Sequence, residues 1–152
     1  MERINVGRVI LGGIVAGIVA NVLDYLANGV ILGPQWAAAM QALGKTDFST
    51  RQIIAFNLIG LAYGVFAVWL YAAMRPRFGA GPKTALLAGL AVWAAGIMLP
   101  NATFMVAMKL FPQDLAAMST LAGIVEWAAA ILAGAALYKE SAETARTMSA
   151  RA

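Results

Sequence analysis

VILGGIVAGIVANVLDYLANGVIL, residues 9 to 32, carries one charge in 24 positions. A helix needs about 20 residues to cross the hydrocarbon core of a bilayer at 1.5 Å per residue, so this run is long enough to be a membrane span. Arg3 and Arg8 precede it as basic residues precede a secretory signal. The run is too long for the apolar segment of such a signal, however, and reads as a retained helix. Its one charge, Asp24, stands between Asn21 and Asn28.

Three more runs of similar length follow, at residues 52 to 74, 84 to 107 and 115 to 138, and Glu126 is the only charge in them. The chain of 152 residues is 62% hydrophobic and 12% charged, a balance that excludes an ordinary water-soluble domain. The expectation is a single all-α domain, an integral membrane antiparallel four-helix bundle over residues 1–152 with a polar tail at 139–152. Its eleven Lys and Arg are scattered rather than gathered in a stripe, which excludes a nucleic-acid partner. The partner implied by the composition is the lipid bilayer.

Orientation follows from where the basic residues fall. Arg3, Arg8, Arg75, Arg77, Lys83, Lys139, Arg146 and Arg151 lie at the termini and in the second link, against Lys45, Arg51 and Lys109 in the other two links. The positive-inside rule then places both termini in the cytoplasm. Tyr71 and Tyr138 end the second and fourth runs as interfacial aromatics.

The links differ in kind. GPQWAAAMQALGKTDFSTR, residues 33 to 51, opens with a Gly-Pro break and spaces Trp36, Met40 and Leu43 as a short interfacial helix would, with Ser49 or Thr50 placed to cap the second span. RPRFGAGPK is a tight Pro- and Gly-rich turn, and KLFPQD sets Asp114 at the start of the fourth span, where a negative charge suits the helix dipole. The spacings of the two hairpins disagree, so no internal repeat is expected.

On a helical projection Asn21, Asp24 and Asn28 share a stripe with Gly13 and Gly17, Asn57 shares one with Gly60, Gly64, Ala67 and Tyr71, and Glu126 lies among Ser119, Ala122, Ala129, Ala130 and Ala133. Small residues let helices approach closely, so these faces point inward and carry the acids with them. Gly13–Gly17, Gly29–Gly33 and Gly60–Gly64 match GxxxG and read as packing. Trp93 and Trp127 lie too deep for the interface, and the Asn101-Ala102-Thr103 sequon is buried in a helix. The third span adds Asn101 at a similar depth, after Pro100, which leaves the carbonyl of Gly96 without its helical donor.

Polar groups from all four spans therefore converge in the half of the bundle away from the termini. Burying an Asp at a helix centre costs about 2.5 to 3.5 kcal/mol on insertion scales, and two unpaired acids cost roughly 5 to 7 kcal/mol. No Lys or Arg lies at that depth to offset it. Protonation with hydrogen bonds to the amides, a water-filled cavity, or a bound cation remain, beside the plainer role of interhelical hydrogen-bond glue at about 0.6 kcal/mol each.

The chain has no Cys and no His, and no phosphate-binding Gly loop, so an enzyme is the least expected class and no cofactor is indicated. Two acids with amide oxygens suit Mg²⁺ or Ca²⁺ in chemistry, but the spacing matches no recognised metal loop. QWAAAMQALG and WLYAAMRPRFGAGPKTALLAGLAVW, residues 35 to 44 and 69 to 93, resemble a group of small, uncharacterised four-span bacterial membrane proteins. The resemblance implies an inner-membrane setting and a four-helix bundle, and carries over no functional residue. The expected ligand-binding set is Asp24, Glu126, Asn21, Asn28, Asn57 and Asn101, for a small polar solute, cation or proton. The alternative is an accessory subunit, in a homo-oligomer or larger membrane complex, whose small-residue faces dock on a partner.

Overall fold

The computed structural model describes residues 4–45 and 48–139. Among them the chain is all α-helical: four helices long and apolar enough to cross a membrane, Val6–Ile31, Thr50–Phe78, Pro82–Ala107 and Gln113–Ala136, and one short helix, Gly33–Ala42, after the first. The expected tail lies outside the described residues from position 140 onward.

The spans start where capping chemistry places them, which moves their ends from the expected 9–32, 52–74, 84–107 and 115–138. The side chain of Asn5 accepts from the Arg8 N–H at 3.2 Å, so the first helix begins at Val6. Ser49 and Gln52 form a reciprocal capping box, which starts the second helix at Thr50. That helix also runs past the expected end at 74, through Pro76, to Phe78. The helix continues beyond Pro76, and the Gly79 N–H closes it onto Arg75 O at 2.9 Å. The link to the third span thereby shrinks to Gly79–Gly81, with φ of 82° and 137° at its two glycines, a backbone that a side chain resists. The fourth span ends at Ala136 rather than 138.

The spans form a ring in chain order, each against the next and the fourth back against the first, with the second and fourth also in contact across the centre. The ring has two unlike halves. In the basal half, which holds Asn5 and Tyr138, backbones meet directly. A Cβ on Gly64 would strike the backbone of Gly13 and Gly17, one on Gly13 would strike Val65, and one on Gly12 would meet the carbonyl of Gly134 at 2.5 Å. Ala16, Ala67, Val68, Ala88, Ala130 and Ile131 fill the remaining space with essentially no exposure. The Gly13–Gly17 and Gly60–Gly64 pairs are thus used inside the bundle, whereas Gly29–Gly33, expected as packing, is not: Gly29 is exposed and a Cβ on Gly33 would meet nothing within 4 Å.

Tyr71 and Tyr138, expected as interfacial aromatics, turn into the protein at the basal end of the bundle. They are 5% and 7% exposed, meet edge-on at 6.0 Å, and face the Arg75 guanidinium at 5.8 and 5.2 Å from their ring centres. Their hydroxyls accept from the Gly81 and Asn5 N–H groups. Each phenol therefore ties a link or terminus to the basal end of the bundle.

In the distal half the helical geometry itself changes. The first span widens to i→i+5 hydrogen bonding over Tyr25–Ile31, and the third does so twice, over Ala94–Met98 and Thr103–Ala107, on either side of Leu99–Ala102. Pro100 is absorbed by this widening: the Leu99 N–H already reaches back five residues to Ala94 O. Such widened turns rotate side chains off the regular helical register and are frequent at functional sites.

Candidate functional site

The distal halves of the four spans do not close on one another. They surround a cleft of about 1070 Å³, and all six residues singled out from the sequence line it. Asn21, Asp24 and Asn28 come from the first span, Asn57 from the second, Asn101 from the third and Glu126 from the fourth. Tight glycine packing below and widened helices above give the cleft its floor and its walls.

Two of the amides bridge helices. The Asn21 side-chain N–H donates to Asn57 O at 3.0 Å, with its own oxygen in the space a Gly60 Cβ would take. The Asn101 side-chain N–H donates to the Thr120 hydroxyl at 2.8 Å. These bonds are the interhelical glue considered from the sequence, and they also fix the direction of each amide. Asn57 turns its N–H back onto Ile53 O at 2.8 Å.

A third arrangement is local to the first span and the short helix. Asn28 donates to an Asp24 carboxylate oxygen at 2.8 Å and accepts from the Trp36 indole at 3.1 Å. Trp36 is held over the cleft by Phe111, edge-on at 5.3 Å, and by a small cluster of Leu32, Ala39 and Leu115. The short helix thus packs Trp36 and Ala39 toward Phe111 and Leu115, where the fourth span begins.

Glu126 differs from every other member of the set. It is 7% exposed, lines the cleft, and makes no hydrogen bond among the described residues. Asp24 is exposed and lines the same cleft. No Lys or Arg is among the described lining residues. A carboxyl on a buried side chain, open to the cleft and without a protein donor among the described residues, in a cleft with a second acid and no basic side chain, is an arrangement that a proton, a cation or water must complete.

Apart from Ser119, the remaining lining is apolar or aromatic and includes Tyr25, Trp36, Phe48, Phe56 and Phe111. Sequence reasoning placed Trp36 on a short helix without seeing its partner. The bond to Asn28 spans eight residues across a widened turn, a distance that helical periodicity does not encode. Thr120, the acceptor for both Asn101 and, through its carbonyl at 2.9 Å, the Trp93 indole, was also missed. The available signal was chemical: an indole N–H or an amide at depth needs an acceptor, and Thr120 is one of few on the facing helix. No group of three or more His, Cys, Asp or Glu able to hold a metal ion occurs among the described residues. Compared with protein-family models, curated proteins and solved structures, the chain has no significant match in any of the three.

Proposed function

We propose that this chain is a non-enzymatic binding or transport protein of a bacterial inner membrane, and that its distal cleft takes up a small cation or exchanges protons at Glu126 and Asp24. One observation carries the reading. Glu126 is buried, faces the cleft and has no protein hydrogen-bond partner among the described residues, although burial of an unsatisfied acid is costly. A side chain kept only for helix packing would be an apolar residue or a bonded amide.

The distribution of basic residues supports cytoplasmic termini, and with them a cleft on the periplasmic side. The role of accessory subunit draws less support. It needs a small-residue face left for a partner, whereas Gly12, Gly13, Gly17, Gly64 and Gly134 are engaged within the chain itself.

Trp36 is a built-in reporter, since its indole reaches Asp24 through Asn28. The test follows the tryptophan emission of the full chain in lipid nanodiscs from acidic to mildly alkaline pH, with Trp36→Phe as the reference. The expected result is a titration in the Trp36 signal that Asp24→Asn abolishes and Glu126→Gln displaces. An emission indifferent to pH and to both substitutions would overturn the proposal.

A further inference from the structure

The acids say that charge matters, and the rest of the cleft says what must carry it. From the lining we infer that the ligand is an organic ammonium, a cationic nitrogen attached to an apolar or aromatic body, with the nitrogen between Glu126 and Asp24 and the body against the aromatic rings above them. The inference rests on the acidic-site reading and narrows it to a chemical class.

Three features lead there. The first is charge. Two carboxyls, Glu126 and Asp24, line the cleft with no Lys or Arg among its described lining residues. The side-chain nitrogens of Asn21, Asn28, Asn57, Asn101 and Trp36 each donate to a protein acceptor, whereas Glu126 is 7% exposed and makes no hydrogen bond among the described residues. Two acids without a basic side chain repel anions and suit an N–H-bearing cation.

The second is size and surface. A cleft of about 1070 Å³ is on the scale of pockets for drug-sized molecules, and a single metal ion would occupy little of it. Hard cations take six or more oxygens, whereas no group of three metal-binding side chains is present among the described residues. The third is the ring of aromatic faces, Tyr25, Trp36, Phe56 and Phe111, lining the same space as the acids. Aromatic faces attract ammonium groups and pack against apolar bodies, and neither property helps a hydrated inorganic ion.

The test is calorimetric titration of the full chain in lipid nanodiscs at neutral pH, with protein-free discs subtracted, using three probes. Phenethylammonium has both charge and ring, propylbenzene is its neutral isostere, and methylammonium has the charge without the body. Phenethylammonium should bind at least about tenfold more tightly than either of the others, and Glu126→Gln should weaken it by about tenfold or more without changing propylbenzene. If Glu126→Gln fails to fold, Asp24→Asn, at an exposed position, makes the same comparison.

Equal binding of propylbenzene, or phenethylammonium binding that survives both substitutions, overturns the inference and leaves an apolar cleft only. A Trp36 signal that responds to pH and to methylammonium, with no gain from the phenyl group, overturns the organic class while the acidic-site reading stands. Silence toward all three probes and toward pH overturns both.

Discussion

The side-chain nitrogen of Asn28 lies 2.8 Å from a carboxylate oxygen of Asp24, one helical turn away. The same amide accepts the Trp36 indole at 3.1 Å, so one residue joins the acid on the first span to the short helix that follows it. The widened turns between Tyr25 and Ile31 bring the two together, because a regular helix would rotate the chain differently before it bends at Leu32. Acid, amide and indole are therefore joined by two hydrogen bonds that connect the cleft to the short helix.

Asn28→Leu should break that connection. The substitution removes the donor to Asp24 and the acceptor for Trp36, two bonds worth about 1 kcal/mol each. Stability should fall modestly, and the Trp36 emission should cease to follow pH even though Asp24 is intact. Both are read in one experiment, an emission titration of Asn28→Leu beside wild type. An unchanged titration would mean that Trp36 senses the cleft by another route.

The basal half should be intolerant of any side chain on its close-packed glycines. A Cβ on Gly64 would overlap the backbone of Gly13 and Gly17, where nothing flexible can yield, whereas a Cβ on Gly33 meets nothing within 4 Å. Gly64→Val is expected to cost at least about 2 kcal/mol and Gly33→Ala to be close to neutral. Reversible unfolding in mixed micelles measures the difference. Comparable losses at the two positions would show that the glycine contacts do not hold the bundle together.

How much of this was legible in the sequence depends on the range of the signal. The four spans and the shared stripes that carry Asn21, Asp24, Asn57 and Glu126 to the cleft follow from length and a helical period, which are local properties. Span ends shifted because caps decide them: Asn5 and the Ser49–Gln52 pair start helices that hydropathy alone would start later. That Tyr71 and Tyr138 form a buried cluster was not legible, because an aromatic beside a basic residue at a span end can face lipid or protein, and only tertiary contact with Arg75 decides between them. The widened turns and the bonds Trp36–Asn28 and Asn101–Thr120 were not legible, since they depend on how neighbouring helices meet and not on the pattern along any one of them.

If Glu126 is retained for function, an apolar residue of similar size should make a more stable protein. The side chain is 7% exposed with no hydrogen bond among the described residues, and Leu in its place would remove the cost of desolvating an acid while keeping the apolar stem buried. Glu126→Leu is expected to gain about 1 to 3 kcal/mol and to raise the thermal midpoint, while losing cation binding. Thermal unfolding in one lipid composition, compared with Glu126→Gln, tests it. A large loss of stability would show that the acid is held by the fold, and the case for a binding role would fall with it.

The orientation and the reach of the cleft can be read together, because the chain has no cysteine and any introduced thiol is the only one. Maleimides need a hydrated, ionisable thiol, so labelling maps where water enters. Asn57→Cys and Asn101→Cys, on the cleft wall, should react with a membrane-impermeant maleimide added outside intact cells or right-side-out vesicles. Ala67→Cys and Ala130→Cys, with 0% exposure in the basal half, should stay unlabelled from either side. Lys139→Cys, exposed at the basal end, should react only once the membrane is opened. Labelling of Lys139→Cys from outside would reverse the topology and place the cleft on the cytoplasmic face. Labelling of Ala130→Cys would mean that the glycine-packed floor opens, and that the cleft is one half of a path through the bundle.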